Sequence, residues 1–216
     1  MTSLAAGCSL ALLALPATAA SHDSDGMQDL HQAVGVVHEM VGKPEIAQLL
    51  RDAKGILIVP HYGSAALVAG VSGGDGVLIA REHGSWSNPM FYNLGKVSVG
   101  LQAGGSGGSI AMILLSDRAV NSFHGNNNFS LTADAGLSII NWSADTQADV
   151  GKGHDVVVWS DTQGLLGRAS VGVADISYDQ EENTQFYHRR VSSDEIMNGE
   201  VPNRHSQPLK DALGKL

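Results

Sequence analysis

The chain has 216 residues, 43% hydrophobic and 16% charged, which excludes a disordered chain and gives one ordinary domain enough apolar material for a core. A formal charge of −9, from 22 acidic and 13 basic residues, excludes the basic face that nucleic acid requires and weakens any purely electrostatic attachment to anionic lipid. Glycine at 26 positions, against 5% aromatic residues, predicts a β-rich chain with tight turns and bulges.

Residues 4–20, LAAGCSLALLALPATAA, are almost uninterruptedly apolar or small. Together with the small-residue site Ala17-Thr18-Ala19 they predict a signal peptide over 1–19, and so export to the periplasm or cell envelope. The run is too short, and too broken by Pro16, for a membrane span. Cys8 follows Leu4-Ala5-Ala6-Gly7, which resembles a bacterial lipobox and makes Cys8 a candidate lipidation site; the apolar run that continues beyond it argues for ordinary cleavage instead. After such cleavage no cysteine remains, no disulfide forms, and packing alone holds the fold.

Residues 20–29 read as a flexible polar segment. Leu30, Ala33, Val34, Val37 and Val41 recur at helical spacing and predict a helix that ends near Gly42. Pro44 suits the first turn of a second helix, with Ile46, Leu49, Leu50 and Ala53 as its buried stripe and Lys43, Arg51 and Lys54 as a small basic edge. The period then changes. GILIVP (55–60) reads as a buried strand, and 64–72 and 76–81 as two more joined by a hairpin at Gly73-Gly74-Asp75-Gly76. Trp86, Pro89, Phe91 and Tyr92 form an aromatic turn, and strict alternation over 94–103 predicts a strand with one small-residue face. A glycine hairpin (104–108) leads to the run IAMILL (110–115), and Asp117 is placed to cap a short helix through Phe123. One alternating strand over 129–141, two more at 154–160 and 165–176, and a polar tail over 191–216 complete the reading, with Phe186 and Tyr187 docking back on the sheet. No βαβ rhythm occurs. The expected fold class is α+β: a mostly antiparallel sheet, curved or sandwich-like, with the two N-terminal helices packed on it.

Chemistry-bearing motifs are few. Gly104-Gly105-Ser106-Gly107-Gly108 matches the G-x-S-x-G elbow of serine hydrolases, but a strand rather than a helix follows it, as a plain hairpin requires. The cluster Gly70, Gly73, Gly74 and Gly76 lacks the Lys-Ser or Lys-Thr of a phosphate loop. His31 and His38 stand two helical turns apart, too far to share a metal, and no cofactor or metal is expected. Asp134 and Arg168 each interrupt a strand of small residues. Arg168 reads either as a salt bridge, for instance to Asp134, or as an anion or lipid-headgroup contact.

Several ordered motifs then carry a resemblance. Ala53-Lys54-Gly55-Ile56 opens a strand ending in Pro60; Gly73-Gly74-Asp75-Gly76-Val77-Leu78 follows. Trp86 to Gly95 reads WSNPMFYNLG and continues through Ser98, Gly100, Leu101, Gln102 and Gly104. Gln163-Gly164-Leu165 continues to Ser170, and Asn183 and Tyr187 close the set. Over residues 27–190 the chain resembles the SYLF-domain family, with the domain itself placed at 30–190. The resemblance implies lipid binding without catalysis: eukaryotic members look like phosphoinositide-binding modules tied to membranes and actin, and bacterial members are exported, often as lipoproteins. Where the family often has Lys-Ala-Gly after the strand-ending proline, this chain has Ser64-Ala65-Ala66, so a basic residue and a glycine are missing.

The expectation is a non-catalytic exported domain that meets phospholipid or a membrane surface. Trp86, Phe91 and Tyr92 would make the apolar contact, and Lys54, Arg81 and Arg168 the headgroup contacts. Such binding, being mostly apolar, should survive high salt. The alternative is a structural or protein-interaction module of the envelope with no lipid ligand. A serine hydrolase is the third reading, resting on Ser106 alone.

Overall fold

The computed structural model describes residues 25–62, 74–82, 84–95, 97–98, 108–131, 136–142, 153–161 and 172–215. Cys8, Ser106, Asp134, Arg168 and the strand expected at 64–72 lie outside them. Helices α1 (Asp25–Val41) and α2 (Pro44–Asp52) come first, followed by β1 (Gly55–Tyr62), β2 (Gly74–Glu82), β3 (Ser85–Trp86), β4 (Met90–Leu94), β5 (Val97–Ser98) and β6 (Gly108–Leu114). Helix α3 (Asp117–Asn121), strands β7 (Phe129–Leu131), β8 (Ile139–Asn141), β9 (Val156–Ser160) and β10 (Gly172–Tyr178), and helices α4 (Gln180–Tyr187), α5 (Ser193–Met197) and α6 (Gln207–Gly214) complete the order.

The strands form one curled sheet, antiparallel except where β8 runs parallel to β9. Connectivity requires the curl. The order is β7-β10-β4-β2-β1-β6-β9-β8, with β7 on the far side of β10 from β4. At about 4.8 Å per strand, β7 and β8 would stand roughly 34 Å apart in a flat sheet. The chain leaves β7 at Leu131 and enters β8 at Ile139, a stretch that reaches at most about 28 Å. A bulge in β10 adds to the bend: its register with β7 shifts between Val173 and Ile176, and Asp175 takes a φ of 60° there. The 129–141 stretch, expected as one strand, is therefore two that sit at opposite ends of the sheet, with Gly136 in a left-handed turn at φ 76° between them.

Both faces of the central strands are buried, which is why β1 and β6 read as unbroken apolar runs. Ile56, Ile58, Val77, Ile79, Phe91, Ala111, Ile113, Val157 and Trp159 face the layer made by α1, α2 and α6. Their neighbours Leu57, Val59, Leu78, Ala80, Met90, Tyr92, Met112 and Val158 face the concave side, filled by Phe123, Leu131, Leu137, Ile196 and Met197. The two N-terminal helices pack on the sheet as expected, although α1 begins at Asp25, inside the stretch read as flexible.

Three local expectations change. Gly74, Asp75 and Gly76 are not a turn but the start of β2. A side chain at Gly74 would stand 2.9 Å from the His61 carbonyl oxygen, and one at Gly76 2.8 Å from Leu94 Cδ1, so these glycines serve close packing. Helix α3 is capped by Ser116, whose Oγ accepts from the Ala119 amide, with Asp117 in the first turn. Residues 191–216, read as a polar tail, include α5 and α6. Leu209, Ala212 and Leu213, spaced for one helix face, bury α6 beside α1.

Candidate functional site

At the end of β2 the chain turns through Gly84, at φ 83°, into the two-residue strand β3. The register sets Arg81 directly opposite Trp86, and the guanidinium lies over the indole at 4.5 Å from its centroid. Arg81 Nη1 also donates to the carbonyl of Arg51 at 3.0 Å, in the last turn of α2. Its side chain is thus fixed at two points before anything binds. Arg51 itself is exposed.

Helix α6 closes the other wall. Lys210 Nζ donates to Asn88 Oδ1 at 2.8 Å, and the same oxygen accepts from Ser206 Oγ at 2.7 Å. Burial holds the Lys210 ammonium below the usual lysine range. Between these walls lies an open groove of about 540 Å³, lined by Arg51, Arg81, Trp86, Lys210 and Leu213, with no carboxylate side chain among the described residues of its lining. Three cations and one indole on a concave surface suit an oxyanion with an apolar or aliphatic part attached.

A second depression, of about 350 Å³, is lined by Asp29, Asp75, Asp179, Glu181 and Glu182. Asp75 and Arg81 sit at opposite ends of β2, so the acidic and basic regions are separated by roughly 20 Å along the strand. Among the described residues no group of three His, Cys, Asp or Glu side chains gathers as metal ligands. No described helix is long and apolar enough to cross a membrane.

The expected contact residues separate. Arg81 and Trp86 share the groove. Lys54 is adjacent in the backbone, its carbonyl accepting from the Arg81 amide, but its ammonium is engaged with Asp117 at 2.6 Å. Phe91 and Tyr92 are each 1% exposed and lie in the core on opposite faces of the sheet. Phe91 packs edge-on to Phe186 at 4.9 Å, and Tyr92 donates its hydroxyl to the Phe123 carbonyl at 2.9 Å, its phenol pushed up by burial.

The rest of the Trp86–Tyr92 stretch ties distant segments together. Ser87 Oγ accepts from the Ala80 amide, and Asn88 Nδ2 donates to the Val201 carbonyl. The Pro89 carbonyl accepts from Tyr187 Oη at 2.6 Å. Where β10 ends at Tyr178, Asn183 carries on its pairing: Oδ1 accepts from the Phe91 amide and Nδ2 donates to the Phe91 carbonyl. Asn183 and Tyr187, the closing pair of the sequence pattern, are therefore anchors of β4. Lys210 was missed because it stands in a stretch whose polar composition gave no sign of a docked helix, whereas Arg51 belonged to the expected basic edge.

A family model described as "Ysc84: Las17-binding protein actin regulator" matches residues 95–216. Among curated proteins, the SH3 domain-containing YSC84-like protein 1 of Homo sapiens is 24% identical over 159 residues, covering 72% of this chain and 46% of that protein. Its counterpart in Mus musculus gives the same identity and coverage. An SH3 domain-containing protein of Schizosaccharomyces pombe is 28% identical over 160 residues, covering 71% of this chain and 36% of that protein. The chain thus spans less than half the length of these curated relatives. With more than half of its residues matched by the family model, and the closing Asn183–Tyr187 anchor in place, the chain belongs to the Ysc84, or SYLF-domain, family.

Proposed function

We propose that this chain is a non-catalytic domain that binds anionic lipid or a membrane surface through the groove of Arg51, Arg81, Trp86 and Lys210. The observation that carries the reading is the concentration of three cations and an indole around one depression, with no carboxylate side chain among its described lining residues, in a chain of net charge −9. The overall charge opposes approach to an anionic surface, but the acidic depression lies about 20 Å away, more than two screening lengths of roughly 8 Å at physiological salt. The depression's acidity is therefore screened from the groove, although Asp52, Glu82 and Asp211 each adjoin one of its cations and reduce its net charge, and the molecule is oriented with its acidic end away from the surface. The apolar run at 4–20 supports export, which places the lipid in the periplasm or envelope.

With Phe91 and Tyr92 inside the core, Trp86 is the one of the three expected aromatic contacts that faces the groove, so the binding is salt-sensitive rather than salt-resistant. At about 1 kcal/mol per basic residue near an anionic surface, three cations contribute roughly 3 kcal/mol, a factor of about 150 in partitioning. The test is flotation with phosphatidylcholine vesicles, with and without phosphatidylglycerol. The domain should float only with the anionic vesicles, and Arg81→Gln should reduce flotation about fivefold. Failure to float with either composition, or equal flotation of the Arg81→Gln variant, refutes the reading.

The second reading, a protein-interaction module of the envelope, draws support from the family's description as an actin regulator and from the edge strand β8. It predicts a dominant protein adduct on crosslinking in cells, and no lipid.

A further inference from the structure

The C-terminal helix α6 contributes two different faces. Leu209, Ala212 and Leu213 are buried, which docks the helix, while Lys210 is turned into the groove. Among the described residues the Lys210 ammonium makes one hydrogen bond, to the neutral amide oxygen of Asn88, and no ion pair. A half-buried cation with three donors and a single neutral acceptor is an incompletely compensated charge. Asn88 does not depend on it: Oδ1 keeps the Ser206 hydroxyl, and Nδ2 keeps the Val201 carbonyl. Lys210 is therefore free to leave Asn88 without orphaning a buried group.

Across the groove Arg81 is already held by Trp86 and the Arg51 carbonyl, so little side-chain freedom is lost when it takes up an anion. The carboxyl end of α2 at Arg51 carries a partial negative charge, but about half a charge offsets only part of the full charges on Arg51, Arg81 and Lys210.

We propose that α6 is a working part of this groove: a phosphate group bound between Arg51 and Arg81 draws the Lys210 ammonium from Asn88, and its presence fastens the C-terminal helix to the body of the domain. The inference rests on the groove being the binding site and adds the coupling of that site to α6. No covalent step is involved. By reciprocity, a condition that releases α6 weakens phosphate binding by the same factor. The phosphate belongs either to a lipid headgroup or to a soluble phosphomonoester, and the test separates them.

The experiment uses the full chain, titrated with glycerol 1-phosphate and followed by hydrogen exchange, beside flotation on phosphatidylcholine vesicles with and without phosphatidic acid. Glycerol 1-phosphate should slow exchange of the α6 amides by up to about tenfold, the gain of replacing a bond to a neutral amide oxygen by an ion-paired bond to phosphate. Lys210→Met keeps the alkyl stem and the buried face. It loses the Asn88 hydrogen bond, so its α6 amides should exchange faster than wild type without ligand; it should bind glycerol 1-phosphate about tenfold more weakly and show no further protection when the ligand is added, and Lys210→Arg should restore binding and protection. Unchanged α6 exchange on saturation with glycerol 1-phosphate, or undiminished binding in Lys210→Met, overturns the coupling. Vesicle flotation that persists in Lys210→Met would then leave the lipid-binding reading standing. Conversely, glycerol 1-phosphate protection of α6 without flotation on phosphatidic acid vesicles upholds the coupling for a soluble phosphate and removes the lipid.

Discussion

Asp155 offers a test of how the β8–β9 edge of the sheet is tied to α3. Its side chain is 5% exposed and receives four hydrogen bonds: two from Arg118 Nη2, at 2.9 and 2.7 Å, one from Ser116 Oγ at 2.5 Å and one from the Ser138 amide at 2.8 Å. Ser116 caps α3, and Ser138 leads into β8, so one carboxylate joins α3, β8 and β9. In Asp155→Asn the shape is kept, but Nδ2 turns a donor toward Arg118 or Ser116. The Arg118 side chain is 66% exposed, so its share is small, at most about 1 kcal/mol. The bonds from Ser116 and the Ser138 amide to a charged acceptor add roughly 1 kcal/mol or more each, for a total of about 3 kcal/mol. That corresponds to a drop in Tm of about 6–12 °C for a chain of this size. The pH dependence has a definite sign. Burial alone would raise the Asp155 carboxyl, but the hydrogen bonds from Arg118, Ser116 and the Ser138 amide outweigh it, and the group is held below the usual aspartate range. A folded-state value below the unfolded one stabilises the fold above about pH 4, and that contribution disappears as pH falls through the folded value. Urea melts of both proteins at a series of pH values should show a gap near 3 kcal/mol at neutral pH that narrows steadily in acid. A gap of the same size at every pH would mean that the charge is not what holds these elements together.

Two further substitutions test the packing around β4. Asn183→Leu leaves the buried Phe91 amide without its acceptor, while the Phe91 carbonyl keeps the Asp179 amide at 3.0 Å, so one orphaned donor should cost about 2 kcal/mol in urea unfolding. A loss under half that would assign the α4 anchor to Tyr187 rather than Asn183. Gly74→Ala should cost about 2–3 kcal/mol because its new methyl meets the fixed His61 carbonyl, and Gly76→Ala less, about 1–2 kcal/mol, because it meets two leucine methyls that can turn aside. Equal Tm values for the two variants would contradict that ordering.

Much of this architecture is legible in the chain. The helical spacing from Leu30 to Val41, the proline that opens α2 and the unbroken run at 110–115 each describe an element that exists. What the pattern could not give was the number of covered faces. Phe91 and Tyr92 alternate as any strand pair does, and alternation predicts one wet side. In β4 both sides are dry because α1 lies over one and Phe123 with Leu131 fills the other. The groove was half legible. Arg81 and Trp86 stand five positions apart with a glycine between them, enough to suggest a short hairpin but not a stacked pair. Lys210 reaches the same place because α6 buries Leu209, Ala212 and Leu213 beside α1 and because Asn88 bonds to Ser206 and to the Val201 carbonyl, the last two being contacts between segments more than a hundred residues apart.

Those contacts change what the aromatic stretch is for. Of the residues from Trp86 to Tyr92, only Trp86 faces the groove; Ser87 and Asn88 bond to backbone and side chains elsewhere, and Phe91 and Tyr92 fill the two core layers. The aromatic stretch is therefore chiefly a set of ties, and its rigidity is what lets a two-residue strand hold an indole under Arg81. The proposed binding groove, assembled this way, needs few residues of its own. Arg51 comes from the end of a helix, Arg81 from the end of a strand and Lys210 from the last helix, and the tied segment brings them around one depression. Their spacing in the chain is governed by the scaffold, so a motif search finds the scaffold and passes over the site.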